Sequence, residues 1–186
     1  MIKAYLAGPD VFLPNALAHA AAKVNICAKY GILGRPPIND DFEQLAQLPA
    51  EKAWRGIYLK DIEMMEDCDI IIANLTPFRG ASADSGTLIE LGWFLGRNKP
   101  IYAYSNTATL FTARSKTQTA ALPDPIPNLV VEGFGLPDNL MIPGAVEYGG
   151  PNPITLPPDG QDLPFDSLQI FELCVSEVEG SKKALF

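Results

Sequence analysis

The chain has 186 residues, 47% hydrophobic and 19% charged, enough for one folded domain with a sizeable core and unlike a disordered chain. A net charge of −8 argues against nucleic-acid polymers and anionic membranes as main partners. No apolar run is long enough to span a bilayer and the N-terminus has no signal-peptide pattern, so a cytoplasmic protein without a membrane partner is expected.

Residues 2–7 (IKAYLA) read as the first strand, broken by Gly8-Pro9. Tyr5 falls near the carboxyl end of that strand, and Gly8 would let a ligand approach the backbone closely. Tyr5 read alone is equally an ordinary core aromatic. A loop over 10–14 leads into a helix over 15–30, with Gly31 as its C′ residue. His19, the single histidine, lies in this helix and reads as structural or surface, so acid–base chemistry falls to Asp, Glu or Tyr. Residues 32–35 form a short second strand closed by Pro36-Pro37, and 39–48 a loop or short helix over the site. A helix follows over 50–67, with Trp54, Ile57, Tyr58, Met64 and Met65 as its apolar positions. Asp61 in that helix, taken alone, is a solvated residue.

The organising stretch is 68–104. Ile70-Ile71-Ile72-Ala73 is an apolar run of the kind buried on both faces of a sheet. A loop with Pro77 and Gly80 follows, then a helix opened by residues 82–87 and ending near Arg97, then a strand over 101–104. Strand, loop, helix, strand is the unit of a parallel sheet, and ligands of such sheets sit beyond the carboxyl ends of the strands. Residues 76–90 lie there. Asp84 precedes the helix, where its carboxylate can cap free N–H groups. Glu90 lies about one turn inside among Leu88, Ile89 and Leu91, a setting that suits a carboxylate nucleophile. A plain cap and an ordinary helix acid remain the other reading of the pair.

Beyond Tyr104 the pattern loosens. Residues 105–127 read as an irregular insertion, 129–131 as the last strand and 133–141 as turns. Residues 143–164, dense in Pro and Gly, read as an extended surface segment, and 165–179 as an amphipathic helix. Cys27, Cys68 and Cys174 lack metal or redox spacing and read as buried free thiols. There is no internal repeat, Walker motif or dinucleotide glycine fingerprint.

Four features together resemble the nucleoside 2-deoxyribosyltransferase family: Tyr5-Leu6-Ala7-Gly8-Pro9, Asp61 eight residues before Asp69, the strand 69–74 leading to Ala83-Asp84-Ser85-Gly86-Thr87-Leu88-Ile89-Glu90-Leu91-Gly92, and Asp138-Asn139-Leu140-Met141. The resemblance covers roughly residues 1–142, with 143–186 as an extension whose helix packs on the same domain. It implies an α/β fold, a flavodoxin-like three-layer sandwich with a five-stranded parallel sheet. It also implies exchange of the base of a 2′-deoxynucleoside through a covalent deoxyribosyl-enzyme intermediate. Glu90 matches the nucleophile, Asp61 the acid that assists the departing base, and Tyr5 the tyrosine that orients the nucleophile. Asp84 matches a residue bonding sugar hydroxyls, and Asn139 one that reaches the 5′-hydroxyl from a neighbouring subunit, with Met141 lining that wall.

The expected partners are 2′-deoxynucleosides, free nucleobases and further copies of the chain, and no metal or organic cofactor is expected. Two other readings share the fold. One is an N-glycosidase of 2′-deoxynucleoside 5′-monophosphates, which needs phosphate donors such as Arg79, Ser82 or Ser85. The other is a nucleotide-binding module without catalysis, with Gly86-Thr87 cradling a phosphate.

Overall fold

The computed structural model describes residues 1–38, 47–122 and 124–185. Strands β1 (Ile2–Tyr5), β2 (Ile32–Arg35), β3 (Ile70–Asn74) and β4 (Ile101–Tyr104) are parallel, in the order β2-β1-β3-β4. The helices are α1 (Ala16–Lys29), α2 (Ala50–Asp67), α3 (Ser85–Gly96), α4 (Phe111–Ala121), α5 (Met141–Gly149) and α6 (Gln169–Leu185). A 3₁₀ turn, Pro9–Phe12, follows β1.

All five residues of β3 are buried, as its unbroken apolar run demands of a central strand. Alternation along the strands sends side chains to two separate cores. Tyr5, Ala7, Ile71 and Ala73 meet Met64 and Met65 of α2, Leu91 and Phe94 of α3, and Val146 of α5. Ala4, Leu6, Ile70, Ile72 and Tyr104 meet Ile26 and Cys27 of α1 and Phe171, Cys174 and Val178 of α6. Helices thus cover both faces in three layers. Asp84 caps α3 by accepting from the Thr87 N–H at 3.0 Å, which places the helix start beside the carboxyl end of β3. All three cysteines are buried and free.

Among the described residues the sheet has four strands, not the expected five. Residues 129–131 form no strand and pair with nothing in the sheet, and Val130 is 93% exposed. Their three apolar residues mimic a strand, yet no packed surface is available to bury them. The edge beyond β4 is met instead by Thr155, through a single parallel bridge to Tyr104. Thr155 N donates to Ala103 O and Ser105 N donates to Thr155 O, at 2.9 and 3.0 Å. The stretch read as an irregular insertion contains α4, and the stretch read as extended begins within α5. Helix α4 escapes a periodicity reading because Ser115 is its one buried residue; α5 escapes it because it spans nine residues and carries Pro143 in its first turn, although Ile142, Pro143 and Val146 are buried. The segment expected over the site, 39–48, falls for the most part outside the described residues.

Helix α5 ends hard against β4. A Cβ added at Gly150 would lie 1.9 Å from the Ile101 carbonyl oxygen, a backbone atom with nowhere to move. Gly150→Ala is therefore expected to cost about 2–3 kcal/mol and lower the melting temperature accordingly. A thermal melt indistinguishable from the parent would refute that close approach.

Candidate active site

Strand alternation decides where Tyr5 points. It ends β1 on the face covered by α2 and α3, the helices that carry Asp61 and Glu90. Tyr5 is fully buried, so its hydroxyl needs a partner, and it donates to Glu90 Oε1 at 2.7 Å. Burial and the negative charges of Glu90 and Asp61 push the Tyr5 phenol far above its usual range, so it stays a donor.

Glu90 is the sixth residue of α3, which begins at Ser85, and is partly buried. Burial pushes its carboxyl up to about 7, the charges of Asp61 and Asp84 add to this, and the Tyr5 hydrogen bond opposes it. Burial likewise raises Asp61 to about 6. The structure therefore brings Tyr5, Asp61, Asp84 and Glu90 into one electrostatic neighbourhood at the carboxyl edge of the sheet. Two carboxyl groups there exchange protons near neutrality, and their titrations are coupled. Asp84 uses Oδ2 for its cap bonds to Thr87 N and Oγ1, while Oδ1 has no hydrogen-bond partner among the described residues. Capping and ligand contact are thus compatible in one carboxylate.

Gly8 follows with φ 155° and ψ 162°, a backbone conformation that side chains rarely allow. A Cβ there would lie 2.7 Å from Asn74 Cβ and 2.8 Å from Asp10 Oδ2. The glycine is required by close packing as well as by conformation.

Asn139 and Met141 stand apart from this group. Asn139 Nδ2 donates to Glu132 Oε2 at 3.1 Å and its Oδ1 accepts from Met141 N at 3.2 Å. Met141, 70% exposed, opens α5. An open cleft of about 740 Å³ reaches Asp84, Ser85 and Asn139 but not Glu90, so it adjoins the carboxylate cluster without containing it.

Two residues holding this region were assigned no role from the sequence. Asp138, 2% exposed, accepts from Ser82 Oγ at 2.6 Å, Ala83 N at 3.0 Å and Asn139 N at 2.8 Å, and lies 3.6 Å from Arg114. Glu132 accepts from Leu140 N at 2.7 Å as well as from Asn139. Asp138 adjoins Asn139 in a turn motif, but its partners Ser82 and Ala83 lie more than fifty residues away, which no local pattern reveals. Of the phosphate donors weighed above, Ser82 is committed to Asp138, and the Arg79 guanidinium lies 5.1 and 4.7 Å from the Phe12 and Phe78 ring centroids.

A raised Glu90 pKa has a cost in stability. The folded chain holds this proton up to about 7 against an ordinary 4.5, so stability falls as pH rises through that window. Glu90→Gln, which can still accept from Tyr5, is expected to be more stable than the parent at pH 8, on the order of 1–3 kcal/mol. The gain should vanish below pH 4.5, and denaturant titrations at the two pH values measure it.

Comparison with known proteins shows the family and the fold of this chain. The family model described as nucleoside 2-deoxyribosyltransferase matches residues 4–141. The solved 2-desoxiribosyltransferase from Leishmania mexicana is 27% identical, with a TM-score of 0.63 over 97% of this chain and 98% of that one. A conserved protein from Enterococcus faecalis V583, 21% identical with a TM-score of 0.53 over 95% and 98% of the two chains, shares the fold. An uncharacterized protein of Schizosaccharomyces pombe is 31% identical over 116 residues, 61% of this chain and 54% of its own length. The chain thus spans about half the length of that curated relative. With the match to residues 4–141 covering most of its length, the chain belongs to the nucleoside 2-deoxyribosyltransferase family.

Proposed function

We propose that this chain transfers 2-deoxyribosyl groups between nucleobases, with Glu90 as the covalent carrier. The observation that carries the reading is the 2.7 Å hydrogen bond from Tyr5 to Glu90, made where Asp61 and Asp84 both act on the same carboxylate. The phenol occupies Oε1 and holds the carboxylate in one orientation, leaving Oε2 to face the sugar.

In the forward half-reaction a Glu90 oxygen attacks the anomeric carbon. The N-glycosidic bond breaks with its electron pair going to the base, and Asp61 supplies the proton that neutralises the departing nitrogen. The developing positive charge on the sugar is stabilised by the carboxylate that then forms the ester. In the return half-reaction a nitrogen of the incoming base attacks the same carbon and the ester bond breaks back to carboxylate. Asp61 recovers the proton. Asp84 Oδ1 is the acceptor for a sugar hydroxyl, and Gly8 gives the sugar access to the backbone. Exposed Met141 and Asn139 beside it belong to a wall offered to a neighbouring copy in a homo-oligomer. The reaction needs no metal or organic cofactor, and it suits nucleoside salvage in the cytoplasm.

Thymidine incubated with adenine is expected to yield deoxyadenosine, and Glu90→Ala to abolish that exchange by at least about 10³-fold. Base release confined to deoxynucleoside 5′-monophosphates would replace this reading with the hydrolase.

The proton inventory predicts a narrow bell. Activity requires Glu90 ionised and Asp61 protonated, so it rises with pH through one apparent pKa and falls through the other, in the region of about 6 to 7 set by the pair. Asp61→Asn should remove the falling limb and shift the rising limb to lower pH, because it deletes a charge that raises Glu90. Rates measured from pH 4.5 to 9 test both.

A further inference from the structure

Beneath the loop after β1, four polar side chains outside this chemistry are buried together. Asp10 Oδ2 accepts from Lys23 Nζ at 2.7 Å, and Oδ1 accepts from Asn74 Nδ2 at 2.9 Å. His19 Nε2 lies 3.4 Å from the same Oδ1. Lys23 is 2% exposed and Asn74 wholly buried. Burial alone would raise the Asp10 pKa, yet the Lys23 charge and the bonds from His19 and Lys23 hold it below the usual carboxylate range. Asp10 is held as the carboxylate. On its far side the Lys23 ammonium stands 4.8 Å from the Phe171 ring centroid in α6 and 5.6 Å from that of Tyr104 in β4.

A buried ion pair is a poor device for stability, since apolar residues of similar size do as well or better. What it does supply is a fixed geometry, and here the bonds run on across the carboxyl ends of the strands. Asn74 Oδ1 accepts from Thr76 N at 3.0 Å, and Thr76 Oγ1 accepts from Asn106 N at 2.9 Å. Asn106 Nδ2 donates to Phe165 O and Ser167 O, both at 2.9 Å, just before α6. The chain of bonds crosses the carboxyl ends of β1, β3 and β4 in turn. Gly8 is wedged against its two central members, Asn74 and Asp10.

We propose that Lys23, Asp10 and Asn74 are positioning residues that lock the loop after β1 against the loop after β3. Helix α6 secures them through Phe171 from the opposite face of the sheet. The spacing so fixed is that between Gly8 and the stretch leading to Asp84, the two groups assigned to the sugar. The C-terminal helix thereby governs sugar binding without touching substrate. The kinetic part of this proposal rests on the transferase reading; the structural part does not.

The first variant is the charge-free pair Asp10→Asn with Lys23→Met, of nearly unchanged volume. It is expected to melt close to the parent while the KM for the deoxynucleoside rises about tenfold and that for the accepting base stays put. Parent-like values of both constants in a folded double variant would overturn the proposal, since a purely structural pair leaves them unchanged. Phe171→Leu is the second variant, altering no charge, and should raise the same KM about threefold. If the double variant does not fold, a parent-like KM in Phe171→Leu overturns the proposal alone. Amide hydrogen exchange on Phe171→Leu gives a readout independent of turnover: Asn74, Thr76 and Asn106 should lose protection together, and unchanged protection there refutes the relay. A parent inactive on every nucleoside defeats the transferase reading, while the exchange result still decides the relay.

Discussion

Every strand of this sheet is parallel and its central strands are covered on both faces, so each buried side chain is committed to one of two cores by its parity in the strand. This constraint decides the site. Tyr5 shares its face with α2 and α3 and is wholly buried, so its hydroxyl must find a partner on those helices, and Glu90 is the partner. A shift of one residue in β1 would turn the phenol toward α1 and α6 and leave both groups without each other. The same burial raises the Glu90 and Asp61 carboxyls toward neutrality, so fold and acid–base character share one cause.

The part of the chain that follows β4 acts as a brace for the loop that carries Asp84. Arg114 of α4 donates through Nε to Ala81 O at 2.8 Å and through Nη2 to Pro137 O at 2.7 Å, with a further bond to Thr109 O. Burial lowers the Arg114 pKa, while Asp138 and Asp162 oppose that shift. Asp138 takes up the loop from its other side, through Ser82 and the Ala83 amide. Residues 79–84 are consequently held by a planar cation and a buried carboxylate, which restrains the approach to α3.

Much of this was legible before any coordinates. The unbroken run at 70–73, the breakers Gly8-Pro9 and Pro100, and the cap at Asp84 are local signals, and they place β1, β3, α3 and β4 correctly. The Tyr5, Asp61, Asp84 and Glu90 positions came as a set from the family resemblance rather than from any local pattern, and the structure brings the four groups close to one another. What escaped the sequence was governed by partners distant in the chain. Residues 129–131 look like a strand in isolation, but pairing, not apolarity, makes a strand, and Thr155 meets that edge. Helix α4 buries only Ser115, and α5 is a short helix with Pro143 in its first turn, which hides the stripe of Ile142, Ala145 and Val146 that packs on the core. Asp10, Asp138 and Glu132 are unremarkable acids until their partners are seen.

The segment that matches the family model ends at 141, yet the sheet it contains is not finished there. Phe171, Cys174, Val175 and Val178 of α6 cover one face, and Thr155 meets the open edge of β4. A chain cut at the motif boundary would present Ile70, Ile72, Tyr102 and Tyr104 to water beside an unpaired parallel edge. Such an edge recruits other chains as readily as its own missing segment. The span of the family model and the unit of folding therefore have different ends, and the tail covers an edge that would otherwise be open to other chains.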